Sequence, residues 1–234
     1  MHWRQLVYGS RLYREQYPSD SVYDEYVRTN DHDLPKEPWG LGDARRHIEF
    51  INRWATRSPL KAEQLQAGFR AAWPHLRGLN GQTIEQLALT GKIPAAESEP
   101  IQKAFDAIAT CGARNESTGA SKILHANLPR LFVMWDMRIA AGYGIYRDVN
   151  PPRPNGHDYA STFLPRITSQ LREAVQSYVT EFSCGQSDAI SELRKLNNGR
   201  SIAKMIDEYN FAKFTLSHDA LWVAALPADK EVGR

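Results

Sequence analysis

Cysteine is scarce in this sequence, and its scarcity excludes several kinds of protein. Only Cys111 and Cys184 occur among the 234 residues. Two thiols cannot build a disulfide framework, a four-cysteine zinc site or the ligand set of an iron–sulfur cluster. Such low cysteine usage is typical of a reducing compartment, so we expect the protein in the cytoplasm.

Long apolar runs are also missing. No stretch approaches the about 18 apolar residues that cross a bilayer, and the opening "MHWRQLVYGS" lacks the apolar segment of a signal peptide. We therefore expect a protein that is neither secreted nor embedded in a membrane.

Several catalytic motifs are absent as well. The sequence has no glycine-rich phosphate loop, no H-E-x-x-H, no G-x-S-x-G and no EF-hand loop, which argues against nucleotide hydrolases, zinc proteases and serine hydrolases. The seven histidines show no metal-ligand spacing. We expect no metal and no other cofactor.

The composition is that of a folded protein with a mild positive charge. Hydrophobic residues make up 42% and charged residues 24% of the chain, and the formal net charge is +2. These proportions are ordinary for a globular domain. The charge permits nucleic-acid binding without requiring it, because close basic pairs such as Arg45–Arg46 are also common on solvated helix faces.

Apolar residues recur at helical spacing over most of the chain. Ile101, Phe105 and Ile108 form one such stripe, and Thr83 and Ser98 are placed to cap helices. Pro74 is expected to end or kink its helix. No strands alternate with these helices, so the sequence predicts an all-α fold.

The chain divides into an arm and a domain. Residues 1–42 combine aromatics, arginines and prolines, which favours an irregular arm that packs over the first helices or stacks on bases. Residues 43–234 are expected to form one all-α domain, with a loop at 148–160 where proline and glycine accumulate.

One segment, "STGASKILHANLPRLFVMWDMRIAAGYG" at residues 117–144, concentrates the chemistry. A helix is expected to begin at Ser117 or Thr118 and to place Lys122 near its positive end, where an anion such as phosphate would be favoured. Asp136 follows an apolar stretch and is a candidate N-cap of the next helix. Asp136 therefore either serves only as a helix cap or also supplies a fixed negative charge for catalysis.

This segment resembles the helix-hairpin-helix superfamily of DNA glycosylases, in particular its atypical members without an iron–sulfur cluster, some of which excise modified bases from phage DNA. Lys122 matches the family's hairpin lysine, Pro129 falls in the loop, and Asp136 matches the family's aspartate. The resemblance implies a two-lobed helical fold with a cleft between the lobes. It also implies base excision in repair or in defence against phage.

The roles that follow from this resemblance are specific. Asp136 would stabilise the sugar cation and orient water, whereas Lys122 would clamp a phosphate or form a Schiff base. We favour water as the nucleophile. The partner would be double-stranded DNA, bound by a monomer. The remaining candidates fall into two groups, the DNA-binding residues Thr118, Gly119, Ser121, Arg130 and Arg138 and the base-pocket residues Trp39, Trp54, His125 and Trp135.

Two other functions stay open at this point. The chain could be a non-catalytic helical DNA-binding module, in which case no base would be released. It could also be an all-α interaction protein, which would show no salt-sensitive affinity for DNA.

Overall fold

A computed structural model describes residues 1–17, 20–29, 34–54, 58–91, 93, 95–145 and 155–216. Helices account for its secondary structure and the described residues contain no strand, which confirms the all-α prediction. The α-helices are α1 (Trp3–Gln16), α2 (Ser21–Thr29), α3 (Leu41–Arg53), α4 (Ala62–Leu79), α5 (Ile84–Thr90), α6 (Ala95–Ala109), α7 (Ser117–Asn127), α8 (Met137–Gly142), α9 (Gly156–Asp158), α10 (Leu164–Phe182), α11 (Gln186–Leu196) and α12 (Ile202–Asn210). Two π-helical turns follow α9 and α12, at Tyr159–Phe163 and Phe211–Thr215.

Helix boundaries follow local side-chain chemistry in several places. Thr83 caps α5 as predicted, because its hydroxyl accepts a hydrogen bond from the amide of Gln86. The predicted cap at Ser98 is wrong, since α6 begins at Ala95 and continues through Pro100. The helix α4 likewise runs past Pro74 to Leu79. In both helices, good helix formers around the proline outweigh the lost amide donor.

The predicted irregular arm at residues 1–42 is wrong, because α1 and α2 occupy most of it. His2 caps α1 by accepting a hydrogen bond from the amide of Arg4. Leu6, Ser10 and Tyr13 lie three or four residues apart and are buried, so α1 presents one face to the interior. That face packs against α12, which places the first helix inside the same core as the last.

The predicted loop at 148–160 is only partly testable. Residues 148–154 lie outside the described residues, and the chain from Gly156 onward is helical, contrary to the prediction. Asn155 explains the difference, because its side chain accepts a hydrogen bond from the amide of Asp158 at 3.1 Å and caps α9. The amide of Gly156 also donates to Asp106 Oδ1 at 2.7 Å, which fixes this start against α6.

The segment Leu131–Trp135 connects α7 to α8 without regular secondary structure, and all five side chains are buried. Tyr159 fixes its path, since its hydroxyl donates to the carbonyl of Val133 and accepts from the amide of the same residue. The segment therefore delivers Asp136 to a defined position at the start of α8. No helix in the described part of the chain is long and apolar enough to cross a membrane.

Candidate active site

A pocket of about 320 Å³ opens beside the start of α8, and we call it the Lys122 pocket. Its walls come from the beginning, the middle and the end of the chain. They consist of Tyr13, Tyr17, Asp20, Val22, Arg53, Trp54, Thr118, Lys122, Met134, Trp135, Asp136, Ile139, Asp207 and Phe211. The volume is at the lower end of the about 300–1,000 Å³ usual for small-molecule sites, so the pocket is suited to a compact ligand.

Asp136 is held by two hydrogen bonds at the edge of this pocket. Its Oδ1 accepts from the amide of Ile139 at 2.8 Å, which makes it the predicted N-cap of α8. Its Oδ2 accepts from the hydroxyl of Thr215 at 3.0 Å. Two fixed donors leave the carboxylate little freedom to rotate, so the group is already oriented before any ligand binds.

Lys122 lies in the same pocket with its amine largely withdrawn from solvent. Its Nζ donates to the backbone carbonyl of Trp54 at 2.9 Å and lies 5.0 Å from the centre of that residue's ring. Burial, followed by the charge of Lys204, lowers the pKa of Lys122 to about 8, although Asp207 and Asp136 oppose the shift. Near neutral pH part of the amine is therefore unprotonated and able to act as a nucleophile or base.

Two of the predicted base-pocket residues line the Lys122 pocket. Trp54 is partly buried, and its indole Nε1 donates to Asp20 Oδ1 at 2.9 Å. Trp135 is 2% exposed and packs edge-on against Phe105 and Tyr159. Trp135 is therefore chiefly a core residue that shows a small part of its surface to the pocket.

The other two predicted base-pocket residues, Trp39 and His125, do not line the Lys122 pocket. Trp39 stacks on Phe69 with ring centres 3.6 Å apart. His125 is fully buried, with Nδ1 2.6 Å from the carbonyl of Phe132 and Nε2 2.8 Å from the hydroxyl of Tyr23. Burial lowers the pKa of His125 to about 3, so it is a neutral residue of the core.

The predicted phosphate contacts at the start of α7 are altered by burial. Glu116, and not Ser117 or Thr118, occupies the N-cap position. Ser121 is 0% exposed, and its hydroxyl donates to the carbonyls of Thr118 and Trp135. The side chain of Ser121 is therefore turned into the protein, and its predicted contact with DNA has no exposed surface to use in this structure. Gly119 is buried as well, whereas Thr118 is partly exposed and lines the pocket.

The two predicted DNA-binding arginines are exposed but lie on different surfaces. Arg138 is on α8, two residues after Asp136, and donates to the carbonyl of Thr215 at 3.0 Å. Arg130 lines a separate pocket together with Arg194 and Arg200. Arg138 is thus the basic side chain nearest in sequence to the pocket acid.

Two further acids in the Lys122 pocket, Asp20 and Asp207, did not emerge from the sequence. Both contact the amine of Lys204, at 3.3 Å and 3.2 Å, and Lys204 is fully buried. Its Nζ also lies within 5 Å of the ring centres of Tyr13, Tyr23 and Trp54. Burial opposes this charge, but Tyr13 and the acids around it hold the pKa of Lys204 well above its ordinary value.

The acids around Lys204 belong to one buried ionic cluster. Arg200 NH1 lies 2.6 Å from Glu208 Oε1 and 3.4 Å from Asp20 Oδ2. Ser10 Oγ completes the cluster by donating to Glu208 Oε2 at 2.5 Å. From the sequence alone, the lysine at position 204 and the acids at positions 207 and 208 would be assigned to a solvated helix face. Only the packing of α12 against α1 shows that these charged residues are buried. No group of three or more potential metal ligands occurs within the described ranges.

Comparisons with known proteins give no family. No protein-family model matches the chain, and searches of curated proteins and of solved structures found no match.

Proposed function

We propose that the protein is a DNA glycosylase that flips a damaged or modified base out of double-stranded DNA and cleaves its N-glycosidic bond. The observation that supports this most is the placement of Lys122 and Asp136, fourteen residues apart in sequence, in the wall of one pocket. The helices α6 and α7 pack together across a short connection, closed by a hydrogen bond from Glu116 N to Ala109 O. A helical hairpin whose second helix carries a pocket lysine, followed by a capping aspartate, resembles the arrangement of the helix-hairpin-helix glycosylases.

Asp136 has the properties that base excision requires. Departure of the base leaves positive charge on the deoxyribose, and a carboxylate fixed beforehand by Ile139 N and Thr215 Oγ1 stabilises that charge without reorganising. The same carboxylate orients water toward C1′. The flipped base occupies the pocket beside Trp54, in a cleft between two helical lobes. Arg138 and Arg130 contact the phosphates.

Lys122 has two roles compatible with its position. In the first role, its amine donates to the carbonyl of Trp54 and contributes a positive charge to the pocket wall. Water is then the nucleophile. The unprotonated fraction would instead attack C1′, expel the base and form a Schiff base that leads to strand cleavage. We favour water, because the hydrogen bond to Trp54 holds the amine against the backbone and away from free movement toward C1′.

Replacement of Asp136 tests the proposal. Mass spectrometry of bases released from duplexes that carry damaged and phage-type modified bases should show release by the wild type. Release should fall by at least about 10²-fold in Asp136→Asn, since one preorganised electrostatic group is lost. Asparagine is still a competent cap, so the fold should persist. The exposed Asp188 of α11 offers a matched control, and Asp188→Asn should release bases at the wild-type rate.

Borohydride trapping separates the two roles of Lys122. We expect no covalent protein–DNA adduct while bases are released. An adduct that forms with wild type and disappears in Lys122→Gln would make the lysine a nucleophile and contradict our preference.

A non-catalytic DNA-binding module is the second candidate. One observation favours it, namely that both carboxylate oxygens of Asp136 already accept hydrogen bonds and so satisfy a purely structural role. Salt-sensitive DNA binding by wild type and Asp136→Asn alike, with no base released by either, would establish this alternative. Within a cytoplasmic glycosylase, the biological role would be base-excision repair or defence against phage with modified DNA.

A further inference from the structure

The three acids of the Lys122 pocket differ in how much hydrogen-bonding capacity they retain. Asp20 Oδ1 accepts from the indole of Trp54, and its Oδ2 faces Arg200 and Lys204. Both oxygens of Asp136 have donors. Asp207 accepts a hydrogen bond from Lys204 Nζ through Oδ2 at 3.2 Å, and no hydrogen bond joins its Oδ1 to another described residue.

The free hydrogen-bond acceptor Oδ1 of Asp207 belongs to a residue that is almost fully buried. The residue is 7% exposed, yet it lines the pocket, so the oxygen without a partner has access to a ligand there and almost nowhere else. Oδ1 of Asp207 is not among the fully buried side-chain atoms without a partner, so its acceptor capacity is open to solvent or to a ligand in the pocket. A ligand in this pocket can therefore donate a hydrogen bond to Asp207 Oδ1.

Lys204 fixes the orientation of the Asp207 carboxyl group. Its amine is fully buried, contacts Asp20 and Asp207, and stands near three aromatic rings, so it has no route to the pocket's interior. By engaging Oδ2, it orients the carboxyl group and leaves Oδ1 as the ligand-facing atom. Burial, opposed by Lys204, raises the pKa of Asp207 to about 6. At pH 7.5 the carboxyl is therefore still mainly ionised and can only accept.

We propose that Asp207 reads the flipped base by accepting a hydrogen bond from one of its N–H groups. The substrates would then be bases that carry an amino group or a ring N–H on the edge that enters the pocket, and bases that offer only acceptors there would be rejected. The inference rests on the proposed glycosylase function and specifies its substrate class. Asp136 acts on the sugar, whereas Asp207 contacts the base.

Two matched pairs of duplexes test this without requiring catalysis. Each duplex carries one 2′-fluoroarabino nucleotide, whose fluorine resists glycosidic cleavage. The bases are 2-aminopurine and purine in one pair and cytosine and 2-pyrimidinone in the other, so the members of a pair differ only by an amino group. Affinity is measured at pH 7.5 for wild type, Asp207→Asn and the control Asp188→Asn.

The wild type and the control should bind the amino-bearing member of at least one pair roughly tenfold more tightly or better, the effect of one hydrogen bond to a charged group. In Asp207→Asn, Lys204 should hold the single amide oxygen, so the amide NH₂ replaces Oδ1 in the pocket. A donor would then face the base's amino group, and the preference should vanish or reverse. Thermal melting checks that this variant is folded, as expected because Lys204 keeps a partner.

The outcomes separate the two proposals. If wild type discriminates in neither pair, or if folded Asp207→Asn keeps the wild-type preference, the assignment of Asp207 is overturned even when bases are released from other duplexes. If wild type releases no base from any duplex, the glycosylase proposal fails. A preference that Asp207→Asn abolishes would in that case still assign Asp207 as the base-reading residue of a binding module.

Discussion

Replacement of Lys204 by methionine should destabilise the protein strongly and in a pH-dependent way. The substitution keeps much of the side-chain length but removes the only ion-pair partner of Asp207 among the described residues and one of the cations near Asp20 and Glu208. Breaking a buried pair by removing one partner costs about 3–5 kcal/mol, because the other charge stays buried and uncompensated. The lost contacts with Tyr13, Tyr23 and Trp54 act in the same direction.

For a protein of this size the loss corresponds to a fall in Tm of roughly 6–20 °C. Urea unfolding at pH 7.5 and pH 5, followed by circular dichroism, measures it. Loss of the cation should raise the folded-state pKa of Asp207 beyond its already raised value, so protonation at low pH relieves the variant and the deficit should be smaller at pH 5. The exposed Lys195 is a matched control, and Lys195→Met should melt with the wild type. A loss below about 1 kcal/mol, or the same loss at both pH values, would refute the reasoning.

Three further predictions concern the pocket and its surroundings. Burial raises the pKa of Asp207 from 3.8 to about 6, so ionisation of this group destabilises the folded state as pH rises from about 4 to about 6. Across that window the free energy of unfolding of Asp207→Asn should therefore rise by about 3 kcal/mol relative to that of the wild type. A difference in unfolding free energy that does not change with pH would contradict the shift. Thr215→Val removes a donor to Asp136, and single-turnover base release should slow about tenfold; an unchanged rate would show that Thr215 does not position the acid. Duplex binding should weaken steeply with salt, and Arg138→Ala should reduce the slope of log K against log salt by about one; a flat wild-type dependence would favour a protein with no nucleic-acid role.

Local patterns predicted part of the fold and of the site. The caps at Thr83 and Asp136 depend on neighbouring residues alone, and both occur as expected. Lys122 and Asp136 are close enough in sequence for one segment to suggest a shared site. The helices α1 and α2 were missed because dense aromatics and arginines obscured their apolar spacing, which becomes clear only when α1 is seen against α12.

The remaining parts of the site depend on contacts between distant segments. Asp207 lies more than seventy residues after Lys122, and nothing in "SIAKMIDEYN" distinguishes a buried acid from a solvated one. Ser121 and His125 looked available because their residue types suit binding, but burial on α7 commits their polar atoms to backbone and side-chain partners. Burial of this kind is decided by packing, which local spacing does not encode.

The composition of the pocket wall also has a consequence for folding kinetics. Tyr13 lies in α1 and Asp20 directly before α2, Lys122 and Asp136 come from the middle of the chain, and Asp207 and Phe211 come from the last described α-helix and the turn after it. Contacts between residues so far apart in sequence form slowly, because the chain loses loop-closure entropy before it gains them. We therefore expect the pocket to be among the last features to form during refolding. A fragment that holds only residues 117–144 would carry the motif without the pocket.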